Sequence, residues 1–248
     1  MILNAADNIM LGDTEVQKLY CGDELVWERE SPVPVRPVPS EYENMEYFTF
    51  PEAPNQRPIN TLYRPTTIPA KMETRIKMSK YFPTGSIMAY LIGGYNSAPT
   101  SYQDKYTFYV VFYEASGTIN LVPEIVGQLS NSTSTTVLQA PLTAPSLGSW
   151  VNISAEWNLQ NVKITADNRS NQNYSYTKFK SFIARDVWIG SNGEPTSATA
   201  NTCFTGDMAY FKLYKGDGTL ARDMVPAKRK SDSREGFWDF VTEAFYTY

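Results

Sequence analysis

The run Phe211-Lys-Leu-Tyr-Lys-Gly-Asp-Gly-Thr-Leu-Ala-Arg-Asp-Met-Val-Pro226, with Gly236-Phe-Trp-Asp-Phe-Val-Thr-Glu-Ala-Phe-Tyr246 close behind it, decides the fold class. Apolar and polar residues alternate on either side of Lys215-Gly216-Asp217-Gly218, and Asp and Gly both tolerate the positive φ of a tight hairpin turn. A second turn is expected near Val241-Thr242-Glu243. The stretch reads as three short strands that close the end of a β-sandwich.

The chain upstream has the same character. In Lys71–Ser79, Met72, Thr74, Ile76 and Met78 fall on one side and Lys71, Glu73, Arg75 and Lys77 on the other, the pattern of a strand with one wet face. Ser86–Tyr95 is apolar on both faces, and Tyr106–Tyr113 more so, which places both inside a sheet. Weaker strands are expected at Ile119–Val126 and Thr135–Leu142. Trp150–Trp157 and Asn161–Asn168 form a hairpin turning near Asn158-Leu159-Gln160, and strands follow at Phe182–Ile189 and Asp207–Tyr214. Residues 41–58 supply a lead-in strand. Strands every ten to fifteen residues or so, with polar turns and no helical period, predict an all-β jelly-roll sandwich.

The C-terminal residues also resemble the closing segment of concanavalin A-like (laminin G-like) jelly-roll modules in phage and prophage virion proteins. The resemblance rests on Lys212-Leu213-Tyr214, Leu220-Ala221-Arg222-Asp223-Met224-Val225-Pro226, Gly236-Phe237-Trp238-Asp239 and Phe245-Tyr246-Thr247-Tyr248. The chain departs from that pattern in Lys228-Arg229-Lys230 and in Glu243-Ala244.

The N-terminus carries a short internal echo. Gly12-Asp13 leads into Val16, Leu19 and Tyr20, and Gly22-Asp23 leads into Leu25 and Trp27, which predicts a small β-meander over residues 1–29. So few strands need a further surface to cover their apolar face. Leu11-Gly12-Asp13 and Tyr20-Cys21-Gly22-Asp23-Glu24-Leu25-Val26-Trp27 resemble an N-terminal segment of phage tail, head-fibre and baseplate proteins. The resemblance implies an anchoring or oligomerising element using Val16, Leu19, Tyr20, Leu25 and Trp27; the alternative is an extra strand pair packed on the main sandwich. Prolines alternate through Ser31–Ser40, fixing φ and removing backbone donors, so residues 30–40 read as an extended spacer. At about 3.1 Å per residue it reaches roughly 30 Å. The alternatives are a segment running along a domain surface, or a proline-rich ligand for a signalling domain. The sandwich then occupies 41–248.

Composition bounds the chemistry. A formal net charge of −4, from 22 basic and 26 acidic residues spread along 248, gives no basic footprint for phosphates, so nucleic acid is not expected as a partner. No segment has the run of about 18 apolar residues of a membrane span, and the first residues lack the basic start and apolar core of a secretory signal. The reading is a soluble protein made without export, and the phage resemblance implies a virion protein assembled in the host cytoplasm. Cys21 and Cys203 are too few for a disulfide framework and read as reduced thiols. The absence of histidine excludes Ser-His-Asp chemistry, Cys-His chemistry and zinc-histidine sites.

Glucanases on this fold use glutamates flanking an aspartate at alternate strand positions, and no such motif occurs. Glu28 with Glu30 and Glu41 with Glu43 alternate only beside the proline-rich run. No catalytic residue is assigned. Sugar binding needs aromatics beside amides at a rim or sheet face, and Tyr95, Asn96, Tyr102, Gln103, Asn173 and Tyr174 are the candidates. No cofactor is required. Laminin G-like modules often hold calcium on loop oxygens, and that resemblance makes Asp104, Asp167, Asp186 and Asp207 candidate ligands.

The resemblance implies a non-enzymatic virion protein, a homo-oligomer with a trimer favoured. It would dock on other virion proteins and display a lectin-like jelly roll for decoration or for adhesion to host-surface glycan. The alternatives are a purely architectural capsid or tail protein, and a carbohydrate-active enzyme or its accessory binding module.

Overall fold

The computed structural model describes residues 9–11, 14–16, 18–21, 24–28, 36–52, 58–82, 87–94, 107–128, 135–179, 186–191 and 202–248. The chain divides into two compact units, Met1–Arg36 and Pro37–Tyr248.

The first unit contains β1 (Ile9–Leu11), β2 (Thr14–Val16), β3 (Lys18–Cys21) and β4 (Glu24–Glu28). They pair as two antiparallel ribbons, β1 with β2 and β3 with β4. The last described pairs of the two ribbons are Leu11↔Thr14 and Cys21↔Glu24, and the Gly-Asp residues of the echo lie outside the described residues. Of the anchoring candidates, Val16 stands opposite Ile9, Leu19 opposite Trp27 and Tyr20 opposite Leu25, with an irregularity between Leu19 and Tyr20. Residues 29–35, most of the expected spacer, lie outside the described residues.

The second unit is an all-β sandwich of two antiparallel sheets. Its strands are β5 (Tyr42–Asn44), β6 (Phe48–Phe50), β7 (Ile59–Asn60), β8 (Lys71–Met78), β9 (Met88–Gly93), β10 (Thr107–Ala115), β11 (Thr118–Gln128), β12 (Thr135–Gln139), β13 (Leu142–Thr143), β14 (Trp150–Asn158), β15 (Asn161–Ala166), β16 (Arg169–Tyr174), β17 (Trp188–Ile189), β18 (Gly206–Tyr214), β19 (Leu220–Arg229), β20 (Glu235–Asp239) and β21 (Ala244–Tyr246). One sheet runs β12-β11-β10-β9-β17-β7 with β13 also on β11. The other runs β16-β15-β14-β8-β18-β19-β20-β21.

The inward faces follow the alternation in the sequence. Met72, Thr74, Ile76 and Met78 of β8 are fully buried, and so are Phe108, Val110 and Phe112 of β10. The two sheets meet through aromatic contacts such as Phe108 against Trp157, edge to face at 5.3 Å. β10 is hydrogen-bonded on both edges, to β9 and β11, and so lies inside its sheet.

Four strand expectations need correction. The lead-in is two short strands, not one, because β18 and β19 diverge and leave a fork. β6 pairs with Gly206–Met208 on one arm and β5 with Ala227–Arg229 on the other. Thr135–Leu142 is broken into β12 and β13 at Ala140-Pro141, where proline has no N–H for the ladder. The C-terminal stretch holds four strands, because the polar residues 230–234 make an extra turn, tied by Arg229 to Asp232. Of Phe182–Ile189 only Trp188–Ile189 is a described strand; 182–185 lie outside the described residues.

β16 has no apolar period, and the sequence pattern gave no reason to expect a strand there. Its neighbour β15 supplies the ladder, and Asp167, at φ 51°, makes the tight turn between them. Alternate side chains of β16 then bridge to the other sheet. Arg169 Nη1 donates to the Thr143 carbonyl at 3.3 Å, Asn171 Nδ2 to Pro141 at 2.6 Å and Asn173 Nδ2 to Gln139 at 2.9 Å. This polar ladder covers one side of the sandwich.

Candidate functional site

At one end of the sandwich, loops from distant parts of the chain surround a cleft of about 740 Å³. Tyr63, Thr66, Thr67, Ile68 and Ala70 come from the loop between β7 and β8. Trp157 to Gln160 come from the β14–β15 turn, Lys178 from the segment after β16, and Lys215 to Asp217 from the β18–β19 turn.

Local hydrogen bonds fix each wall. Asn158 Oδ1 accepts from the Gln160 amide at 2.8 Å, an Asx turn, and the Leu159 carbonyl accepts from Phe179 N at 3.0 Å, which fastens the Lys178 segment alongside. Ala70 ties the floor together, donating to Tyr214 O and accepting from Trp157 N. In the β18–β19 turn Lys215 N donates to Thr219 O, and Asp217 Oδ1 accepts from both the amide and the hydroxyl of Thr219. Gly216 approaches the facing loop closely, since a Cβ there would lie 2.5 Å from Thr67 Oγ1 and 3.2 Å from the Ile68 carbonyl.

The aromatic wall, Tyr63, is set from behind by Arg222. This side chain is 7% exposed, and its Nε and Nη2 donate to the Thr61 carbonyl at 3.1 and 2.9 Å. Its guanidinium also lies 5.2 Å from the centre of the Tyr63 ring. Between them Leu62 has φ 52°, a conformation rare for a branched side chain, and is 68% exposed. The surroundings hold it there: Leu62 N donates to Asn60 Oδ1, Thr61 N donates to Val187 O, and Val187 N donates to Tyr63 O. Behind Arg222 stands Asp239, fully buried, with Oδ2 3.5 Å from Nε. Its other contacts are the amides of Asp223 and Val241 on Oδ1 and the Thr242 hydroxyl on Oδ2. Burial pushes the Tyr63 phenol above its ordinary pKa, against the opposing pull of Arg222.

The cleft offers a half-buried aromatic face, amide and hydroxyl groups, two ammonium groups and one carboxylate. The Asp217 carboxylate is held below its ordinary range by its hydrogen bonds from Thr219, so it is an ionised acceptor and not a proton donor. The described lining has no second carboxylate to complete an acid–nucleophile pair. The indole Nε1 of Trp157 is buried without an acceptor among the described residues.

None of the described sequence candidates lines this cleft. Tyr95, Asn96, Tyr102, Gln103 and Asp104 lie outside the described residues. Asn173 and Tyr174 are on β16, not in a loop. The Asn173 amide is engaged by Gln139 O and Tyr174 N, while the Tyr174 ring is 61% exposed. The structure does not bring the remaining acids together. Asp167 accepts from Asn152, Asp186 pairs with Arg64 at 3.0 Å, and Asp207 accepts from Thr49 at 2.8 Å. No group of three or more Asp, Glu or Cys side chains placed to hold a metal ion occurs among the described residues. Cys203 is buried and unbridged. No helix among the described residues is long and apolar enough to cross a membrane.

No protein-family model matches the sequence, and no curated protein matches it significantly. Among solved structures the chain is similar to domains LG4-5 of the mouse laminin alpha1 chain, with 11% identity and a TM-score of 0.39, covering 73% of this chain and 41% of that one. It is similar to full-length tailspike protein 2 from an Escherichia coli O157:H7 bacteriophage, with 10% identity and a TM-score of 0.45, covering 76% and 28%. It is also similar to domain 4 of AbnA, a GH43 extracellular arabinanase from Geobacillus stearothermophilus, with 14% identity and a TM-score of 0.39, covering 73% and 76%. The chain thus spans less than half of the laminin and tailspike chains. At these identities and scores the likenesses carry no argument about function.

Proposed function

We propose that this protein is a non-enzymatic component of a phage virion whose sandwich adheres to surface glycan through the cleft beside Tyr63. The observation that carries the reading is the convergence, from four separate chain segments, of one aromatic face with amide, hydroxyl and charged groups around a single cleft. Pyranose rings present an apolar face for stacking and hydroxyls at their edges, and such a lining answers both. Adhesion rather than hydrolysis is favoured because the described lining holds one carboxylate, Asp217, kept ionised by its hydrogen bonds from Thr219. The virion setting rests on the sequence resemblance at Leu220–Pro226 and Gly236–Asp239 and on the N-terminal Gly-Asp echo. Residues 1–29 act as the anchor, contacting other virion proteins or further copies of the chain, and the proline-rich run holds the sandwich away from them.

A polysaccharide array probed with the full-length chain and with Tyr63→Ala tests the reading. Binding that Tyr63→Ala weakens at least ten-fold, with the variant still folded by circular dichroism, supports it. No binding by the intact chain removes adhesion and leaves an architectural role. Release of sugar fragments from any polysaccharide would replace adhesion with catalysis. For the anchor, the full-length chain should be oligomeric by light scattering and a chain beginning at Glu41 monomeric; equal oligomeric masses would move assembly to the sandwich.

A further inference from the structure

The protein is acidic overall, with a formal net charge of −4, yet the cleft lining reverses the sign: Lys178 and Lys215 against Asp217. The two ammonium groups come from different walls, Lys178 from the segment fastened along the β14–β15 turn and Lys215 from the β18–β19 turn. Both lysines are exposed, and among the described residues neither ammonium makes an ion pair or a hydrogen bond. Three other lysines of the sandwich are ion-paired, Lys71 with Glu73, Lys80 with Glu52 and Lys163 with Glu156. The one opposing charge, Asp217, accepts from both donors of Thr219 within its own turn and also feels the Lys215 ammonium, which leaves the described lining with a net charge of one positive unit.

From this arrangement we infer that the cleft selects a saccharide carrying negative charge, held with its ring on Tyr63 and its anionic substituent between Lys178 and Lys215. The inference rests on the glycan reading of the cleft and adds the ligand's charge to it. Neutral sugars satisfy the aromatic face and the amides but leave both ammonium groups hydrated. An anion gains charge-assisted contacts from two sides. Binding should therefore fall with added salt, because both lysines are exposed to screening.

The test uses the full-length chain with two matched pairs of probes: polygalacturonate against its methyl ester, and dextran sulfate against dextran. The first pair reports a carboxylate and the second a sulfate. The expected result is that one charged member binds at least ten-fold more tightly than its neutral partner. Lys178→Gln and Lys215→Gln should each weaken that binding about five-fold, the scale of an exposed charge pair, and the double substitution should abolish the preference. Equal binding of charged and neutral members, sensitive to Tyr63→Ala but not to the lysine substitutions, overturns the charge selection and leaves the cleft in place. Binding insensitive to Tyr63 and to both lysines, or binding to none of the four probes, overturns the site and the inference with it.

Discussion

Asp239 stands directly behind Arg222, its Oδ2 3.5 Å from the guanidinium Nε, with both side chains cut off from solvent. The pair joins the two halves of the C-terminal motif, Leu220–Pro226 and Gly236–Asp239, and passes its restraint to the cleft through the Thr61 carbonyl. Asp239→Ala leaves a buried cation without its counter-charge and frees two backbone amides, and should cost about 3–5 kcal/mol. Asp239→Asn retains an acceptor for those amides and should cost less. Urea unfolding of the two variants checks the order; equal losses would mean that the charge itself contributes little.

Phe112 is fully buried in β10 and stacks on Phe204 at 6.4 Å. Phe112→Asp places an unpaired charge in the core and should unfold the sandwich, whereas Phe112→Leu should cost only roughly 1–2 kcal/mol. Circular dichroism and thermal melts separate the two. A folded, cooperative Phe112→Asp variant would overturn the placement of β10.

Asn171→Ala with Asn173→Ala removes two rungs of the ladder that joins β16 to the 139–143 segment. Both residues are exposed, so water can replace the lost donors, and the stability cost should be near the lower end of about 0.5–1.5 kcal/mol per bond. The larger effect should be association, since the backbone edges that the ladder covers become open to another chain. Concentration-dependent light scattering reads this directly, and unchanged scattering would remove the protective role.

Burial pushes the Glu124 carboxyl above its ordinary value of 4.5, opposed by a hydrogen bond from Tyr109. The folded state therefore holds this proton more firmly than the unfolded chain does, and the stability from this group is lost as pH rises from 4.5 through the raised value. Asp207, also raised by burial and opposed by Thr49 and Lys77, adds to the same slope. Glu124→Gln cannot ionise. It should match the parent below pH 4.5 and gain on it above the window in urea midpoints taken from about pH 4 to about pH 8. A constant offset between the two curves would contradict the assignment.

Most of the sandwich was legible in one dimension because its strands bury one face, and burial writes a period of two into the sequence. β8, β14 and β15 carry that signature plainly, while β10 is marked instead by a run apolar on both faces. β16 does not, since its exposed residues are held by neighbours and not by a buried face. The fork filled by β5 and β6 was likewise hidden, because divergence of β18 and β19 leaves no local mark.

The C-terminal stretch shows the same division. Its hairpin turn followed from Lys215-Gly216-Asp217-Gly218 alone, because the φ that Gly218 adopts is a property of the residue. That the turn also supplies Lys215 and Asp217 to a cleft could not be read there, since the stretch by itself offers no ligand constellation. The remaining walls come from residues 63–70, 157–160 and 178, far off in the chain, and only sheet pairing sets them face to face. By itself the sequence determined most of the long strands, the hairpin turn at 215–218 and the absence of histidine chemistry. The tertiary structure decided which exposed side chains share one space, because that depends on long-range strand order, which no local pattern encodes.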